Sequence, residues 1–115
     1  MDTDAEHALS TSWVGMRMGV DPVLVNAMRR AGELYAVRRS GSQEWLYPAW
    51  QFGSDWKPRP DVQRVLRAAH EAGLDEAALD EVLNRRVGVV GSPRRLLDLL
   101  VEGDAEPVLS AIRGR

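Results

Sequence analysis

Two glycines, Gly15 and Gly19, constrain this sequence more than any other feature, because they lie in and directly after a short segment with helical apolar spacing. Gly19 stands where a tight turn between two helices requires a positive φ, which glycine adopts without steric cost. Gly15 stands where two helices joined by such a turn approach closely, so that only a small side chain fits. The pattern over 13–30 therefore predicts a helix-turn-helix, whose buried flanks are apolar: Val14, Met18, Val20, Val25 and Met28.

The ends of both helices are marked in the sequence. The run 10–12 offers hydroxyl oxygens as N-caps for the first helix, which is expected to end at about Met18. Asp21 is the expected cap of the second helix, and Pro22 suits its first position because a missing N–H is harmless there. Gly32 is expected to end this helix in a left-handed conformation.

A β-hairpin is expected directly after the second helix. The runs 34–37 and 45–47 are rich in strand formers, and the segment 38–43 between them is rich in turn residues. Pro48 is expected to end the second strand. The order helix, turn, helix, hairpin is that of a small winged helix.

The rest of the chain divides into a tail, a linker and a helical region. Residues 1–8 are predicted to be a flexible tail and residues 9–50 the winged helix-turn-helix. Residues 51–60 are predicted to be a linker that packs, because Phe52 and Trp56 are large aromatics. Residues 61–115 are predicted to be helical, with apolar stripes at Val62, Val65, Leu66, Ala69, Leu79, Val82, Leu83, Val108, Leu109 and Ile112. Start signals precede the last two helices, at Ser92-Pro93 and at Asp104.

Composition limits the functional classes. The chain has 115 residues and no cysteine, which excludes disulfides and thiolate metal sites. The net charge is -2, but residues 10–43 carry five arginines against two acids, whereas residues 75–106 carry eight acids against four arginines. This asymmetry predicts a front that faces nucleic acid and a back that faces protein. Without an apolar run of about 20 residues or a signal core, the protein is expected to be cytoplasmic, with no membrane partner.

The sequence offers no catalytic pattern. His7 and His70 are far apart and lack the spacing of a zinc-binding helix. No glycine-rich phosphate loop and no nucleophile elbow are present. We therefore expect no enzyme, no catalytic residue, no metal site and no cofactor.

The first half resembles the winged helix-turn-helix of the MerR and excisionase type. The resemblance rests on residues 30–39, RAGELYAVRR, in which a basic helix end and a glycine precede a strand leading into an arginine-bearing wing. It implies that the second helix enters the major groove of double-stranded DNA and that the wing touches the backbone. Val23 and Asn26 are then expected to face bases, as a thymine-methyl contact and an adenine reader. The predicted cationic DNA contacts are Arg17, Arg29, Arg30, Arg38 and Arg39.

The segment 91–112 resembles the end of the toxin-binding domain in Xre/MbcA/ParS antitoxins. A Ser-Pro start, leucine pairs, a Gly-Asp stop and a final helix with a valine are shared, whereas Val82-Leu83 replaces the usual Trp-Leu pair. The resemblance implies a protein toxin of the NAD-consuming RES class as a partner. The whole layout also resembles a mycobacterial family of small winged-helix DNA-binding proteins with a helical C-terminal region.

A wide leucine stripe supports a partner role for this helical region. Leu96, Leu97, Leu99 and Leu100 cover about 160 degrees of a helix at 100 degrees per residue, more than one core-facing stripe of a little over 100 degrees. The alternative is a deeply buried central helix. The expected partner-binding residues are Leu96, Leu97, Leu100 and Val108.

Together these patterns predict a mainly α protein, a winged helix-turn-helix with a short β-hairpin followed by a small helical bundle. The expected function is a homodimeric, antitoxin-like DNA-binding transcriptional regulator. Two alternatives stay open. One is a protein-interaction module without DNA binding, such as a toxin neutraliser or a phage-type adaptor, favoured by the apolar run 22–24. The other is an excisionase-like architectural DNA-binding protein.

Overall fold

The structure, a computed structural model, describes residues 8–38, 41–88 and 94–114. The fold is mainly helical with one small antiparallel sheet. The chain divides into two compact units, residues 1–59 and residues 60–115. Among the residues described, no helix is long and apolar enough to cross a membrane.

The first unit contains the two expected helices. Helix α1 spans Thr11–Met18 and is capped by Ser10, whose hydroxyl accepts a hydrogen bond from the Trp13 N–H at 3.2 Å. Helix α2 spans Pro22–Arg30, and the Asp21 carboxylate accepts from the Val23 N–H at 2.8 Å. Both N-caps predicted from the sequence are confirmed.

The turn between α1 and α2 depends on both glycines. Gly19 has a φ of +74°, and the Val20 N–H closes the turn on the Gly15 carbonyl oxygen at 2.9 Å. A Cβ added at Gly15 would lie 2.8 Å from the Val20 carbonyl oxygen, closer than real Cβ atoms approach. The sequence prediction of a tight turn and a close approach is therefore confirmed.

The sheet has three short strands in the order β1-β3-β2: β1 is Ala8–Ser10, β2 is Val37–Arg38 and β3 is Trp45–Pro48. β2 and β3 form the expected hairpin, but two predictions were wrong. Ala8 pairs with Pro48 in a strand and is not part of a flexible tail. The first strand of the hairpin is also shorter than the predicted run 34–37.

The shortening of β2 has a clear cause. The buried Gln51 side chain accepts from the Tyr35 N–H at 2.8 Å and donates to the Tyr35 carbonyl oxygen at 2.8 Å. It also donates to the Pro48 carbonyl oxygen at 3.0 Å. Both backbone groups of Tyr35 are therefore paired with a side chain and not with a neighbouring strand.

The core of the first unit joins both helices to the sheet. Its buried apolar members are Val14, Val25, Leu34, Ala36, Tyr47 and Phe52, with Trp45 and Trp56 partly buried against them. The predicted linker contributes to this core. Gln51, at the end of a short 3-10 helix over Ala49–Gln51, and Phe52 are both buried.

The second unit contains four helices: α3 is Pro60–Glu71, α4 is Glu76–Leu83, α5 is Leu96–Val101 and α6 is Glu106–Arg113. All ten residues of the predicted stripes from Val62 to Ile112 are buried. α5 begins at Leu96, because the Asp98 carboxylate accepts from the Arg95 N–H at 2.8 Å and so fixes the first turn there. The predicted start signal at Ser92-Pro93 lies outside the described residues. α6 begins at Glu106, two residues after the predicted start at Asp104.

Candidate nucleic-acid interface

The first turn of α2 presents apolar side chains to solvent. Val23 is 71% exposed and Leu24 is 47% exposed, whereas Val25 is fully buried on the opposite side of the helix. Asn26 is half-buried and Ala27 is exposed. The two residues predicted to face bases, Val23 and Asn26, therefore lie on the same short helix but differ in accessibility.

The last turn of α2 holds two arginines in different environments. Arg30 is exposed. The guanidinium of Arg29 lies over the Trp45 ring, with its Cζ atom 4.0 Å from the ring centroid. Its Nε atom is buried without a hydrogen-bond partner among the described residues. Arg29 is thus tied to the hairpin by its planar face, while Arg30 is free to extend.

The hairpin holds Arg38 over the same indole. Arg38 and Trp45 are paired across β2 and β3. The Arg38 Cζ atom lies 4.7 Å from the Trp45 centroid, and its Nη1 donates to the Gln43 Oε1 at 3.0 Å. Arg39, which was also predicted to contact DNA, lies outside the described residues.

Arg17 lies between two further tryptophans. Its Cζ atom is 4.4 Å from the Trp13 centroid and 5.3 Å from the Trp56 centroid. Trp56 has a φ of +60°, an uncommon conformation for a bulky residue, and its ring packs against Phe52 at 6.0 Å. Cation–π contacts of this kind are worth about 0.5–1 kcal/mol each at exposed sites, so they hold the cations loosely in place.

Three arginines of the first unit lie against aromatic rings. Among the described residues, no carboxylate forms an ion pair with Arg17, Arg29 or Arg38. The first unit as a whole, residues 1–59, carries seven basic and seven acidic residues, and three of these acids precede residue 8. The rings therefore position these cations, while the formal charges of the unit balance.

Arginines of the second unit form ion pairs instead. Arg64 pairs with Glu106 at 2.9 Å, Arg95 pairs with Asp98 at 3.3 Å, and Arg94 pairs with Glu102. The hydrogen bond from the Arg95 backbone N–H lowers the pKa of Asp98, and the Arg95 guanidinium adds to this effect. These arginines stabilise the unit internally and are less available to an external anion.

The predicted partner-binding residues are mostly inaccessible. Leu96, Leu100 and Val108 are buried in the core of the second unit, so the leucine stripe is largely the central buried helix that was the alternative reading. Leu97 is half-buried, as is Leu99, and Val101 is 43% exposed. Of the four predicted residues, only Leu97 retains an accessible surface.

Sequence reasoning found the cations but missed the rings that hold them. The sequence predicted that the aromatics of the linker pack, but it did not predict that three tryptophans lie against arginines: Trp13, Trp45 and Trp56. The pairing of Arg38 with Trp45 had a sequence signal, because a hairpin between 37 and 46 places these residues opposite each other. The approach of Arg29 had none, because it depends on how α2 packs against the sheet.

Comparison with known proteins adds one result on the fold. Neither protein-family models nor curated proteins give a match to this sequence. Among solved structures, the NMR structure of Rv2175c is similar, with a TM-score of 0.74 and 21% sequence identity. The similarity covers 93% of this chain and 79% of that chain. At this identity it shows a shared fold alone.

Proposed function

We propose that this protein binds double-stranded DNA through a winged helix-turn-helix formed by α1, α2 and the β2–β3 hairpin, and acts as a transcriptional regulator. The observation that supports this most is that Arg29 on α2 and Arg38 on the hairpin lie against an aromatic ring and form no ion pair with a carboxylate of the described residues. Such cations favour phosphates, whose contacts supply most of the affinity of a DNA-binding protein.

In this proposal α2 enters the major groove by its first turns. The exposed Val23 meets a thymine methyl group, and Asn26 pairs with an adenine edge. Arg30 at the helix end and Arg38 on the wing bind phosphates on either side of the groove. Because few polar groups face the bases, sequence discrimination is modest and affinity depends strongly on salt.

We also propose that the second unit binds a protein, either a second copy of this chain or a toxin of the RES class. The accessible apolar residues that support this are Leu97, Leu99 and Val101. A dimer doubles the DNA surface covered, which one small module needs for tight binding. Such a regulator would act in the cytoplasm and would have no catalytic role of its own.

The experiment is a fluorescence-anisotropy titration of the full chain against labelled duplex DNA over a series of salt concentrations. The double variant Arg30→Ala/Arg38→Ala is expected to bind more weakly and to lower the salt slope by about 2, since each lost phosphate contact lowers it by about 1. The matched control is Arg67→Ala/Arg113→Ala, which removes the same charge from exposed positions of the second unit.

Equal slopes for the two double variants would show that net charge alone drives binding and would contradict the proposed interface. Absence of binding by the wild-type chain at low salt, to its own promoter and to other duplexes alike, would reject DNA binding altogether.

Protein recognition without DNA is the second candidate function, and the exposed Val23 and Leu24 favour it. If the chain recognises a protein and no DNA, Val23→Ser weakens that protein complex, and neither the wild type nor the variant binds DNA. In the DNA-binding proposal the same substitution changes sequence preference at one base pair and leaves the salt slope unchanged.

A further inference from the structure

Two arginines from different elements lie over the indole ring of Trp45. Arg29 comes from the last turn of α2 and Arg38 from β2, and their Cζ atoms lie 4.0 and 4.7 Å from the same ring centroid. The two guanidinium groups therefore lie no further apart than the sum of these distances. Two like charges brought this close repel each other unless the ring or a ligand compensates for them.

The indole offsets part of this repulsion, because each guanidinium group lies over its ring. Nη1 of Arg38 donates to the neutral Gln43 amide. The Nε atom of Arg29 is buried with no hydrogen-bond partner among the described residues. Neither guanidinium group pairs with a carboxylate of the described residues, so the charge of both can attract a ligand.

An anion with several acceptor oxygens is the ligand that fits this arrangement. Guanidinium groups bind phosphate through parallel N–H···O bonds, and positioned guanidiniums lose less entropy on binding than mobile ones. A carboxylate of the protein itself would serve as well, but none among the described residues pairs with either arginine.

We propose that Trp45 is a positioning residue that holds Arg29 and Arg38 as one phosphate-binding clamp joining the end of α2 to the wing. The inference rests on the proposed DNA-binding function and names the part of the DNA that this site takes, the backbone phosphate. Trp45 itself does not touch the DNA. It acts by fixing the geometry of the two cations and offsetting their repulsion before the phosphate arrives.

The alternative is that Trp45 only fills the core, since it is partly buried against it. Both readings predict a less stable Trp45→Leu variant, so stability does not separate them. The salt slope of DNA binding separates the two roles. If Trp45 only fills the core, a Trp45→Leu protein that stays folded keeps its phosphate contacts. If Trp45 positions the two arginines, the same protein loses them.

The test compares the full chain as wild type, Trp45→Leu and Trp45→Phe, with Trp50→Leu as the matched control. Trp50 is a half-buried tryptophan of the same unit whose ring lies against Tyr35, at 5.9 Å. DNA affinity is measured by anisotropy over a salt series, and folding of each variant is checked by circular dichroism.

We expect Trp45→Leu to weaken DNA binding about fivefold or more at low salt, because two arginine side chains must then be ordered when the DNA binds, and to lower the salt slope by about 1 to 2. Trp45→Phe keeps an aromatic ring beneath the two arginines and is expected to restore part of the DNA affinity and part of the salt slope. Trp50→Leu is expected to keep the wild-type slope.

An unchanged slope in Trp45→Leu, or equal effects of leucine and phenylalanine, overturns the clamp while DNA binding stands. Wild-type protein that binds no DNA overturns the proposed function and the clamp together.

A second measurement uses only wild-type protein, in case Trp45→Leu does not fold. On addition of a short duplex, the Nε–Hε signals of Arg29 and Arg38 in the NMR spectrum are expected to shift together. Bound DNA with neither signal shifted, or with only one, overturns the clamp.

Discussion

At the scale of single residues, the buried side chain of Gln51 explains why strand β2 of the first unit is short. Its amide is fully buried and makes three hydrogen bonds to backbone groups of Tyr35 and Pro48. A side chain here takes the place of a neighbouring strand. The sequence gives no sign of this role. A glutamine in a predicted linker does not show which backbone groups it will bind, and Tyr35 lies 16 positions away along the chain.

The substitution Gln51→Leu is expected to lower the free energy of unfolding by at least about 2 kcal/mol, since the two buried backbone groups of Tyr35 lose their hydrogen bonds to Gln51 at about 1–3 kcal/mol each. Urea unfolding followed by tryptophan emission measures this, because all four tryptophans lie within residues 13–56. The exposed Gln43→Leu is the control and is expected to change stability by no more than about 0.5 kcal/mol. Equal midpoints for the two variants would show that the hydrogen bonds of Gln51 are not needed.

Gly15→Ala tests the close approach within the helix pair. The added Cβ lies 2.8 Å from the Val20 carbonyl oxygen, so the turn must shift. We expect a loss of about 1–3 kcal/mol from overpacking, which exceeds the gain of up to about 1 kcal/mol from helix propensity. Ser12→Ala, at an exposed position of the same helix, controls for propensity. A Gly15→Ala protein more stable than wild type would contradict the geometry.

At the scale of elements, the sequence predicted what depends on neighbours in the chain. The caps Ser10 and Asp21 accept hydrogen bonds from N–H groups two or three residues away, so residue type and position identify them. β1 was missed because its partner β3 lies far along the chain and its three residues carry little strand pattern. The position at which α5 begins also depends on a distant pairing, because an isolated bridge joins Arg86 to Arg95 directly before the helix.

The start of α5 also gives a pH prediction. The pKa of Asp98 is lowered from its ordinary value of 3.8 in the folded protein, first by the Arg95 backbone hydrogen bond. A lowered folded pKa stabilises the fold above the unfolded pKa, and this stabilisation is lost as pH falls through the folded pKa. Asp98→Asn is therefore expected to destabilise the protein at neutral pH and progressively less below pH 3.8.

Urea unfolding followed by far-ultraviolet circular dichroism measures this difference at several pH values. Asp104→Asn, an exposed acid beyond the end of the same helix, is the control and is expected to show little difference at any pH. An Asp98→Asn difference that stays constant from neutral to acid pH would show that the carboxylate charge is not what matters.

At the scale of the whole molecule, residue types are divided between the two units. All seven aromatic residues, four Trp, two Tyr and one Phe, precede residue 57, and the second unit has an aliphatic core. The first unit holds arginines against rings, whereas the second pairs arginines with acids. The sequence predicted the buried apolar stripes of the second unit correctly. It did not predict which leucines are accessible, because a helix of six residues does not show which side faces the core.

DNA binding by the first unit is tested most directly by an NMR titration of the full chain, labelled with nitrogen-15, with a short DNA duplex at low salt. We expect the shifted amides to lie in α2 and the β2–β3 hairpin, including Val23, Asn26, Arg30 and Arg38, and amides of residues 60–114 to shift little at low DNA ratios. Shifts confined to the second unit, or no shifts at all, would contradict the claim that the first unit binds DNA.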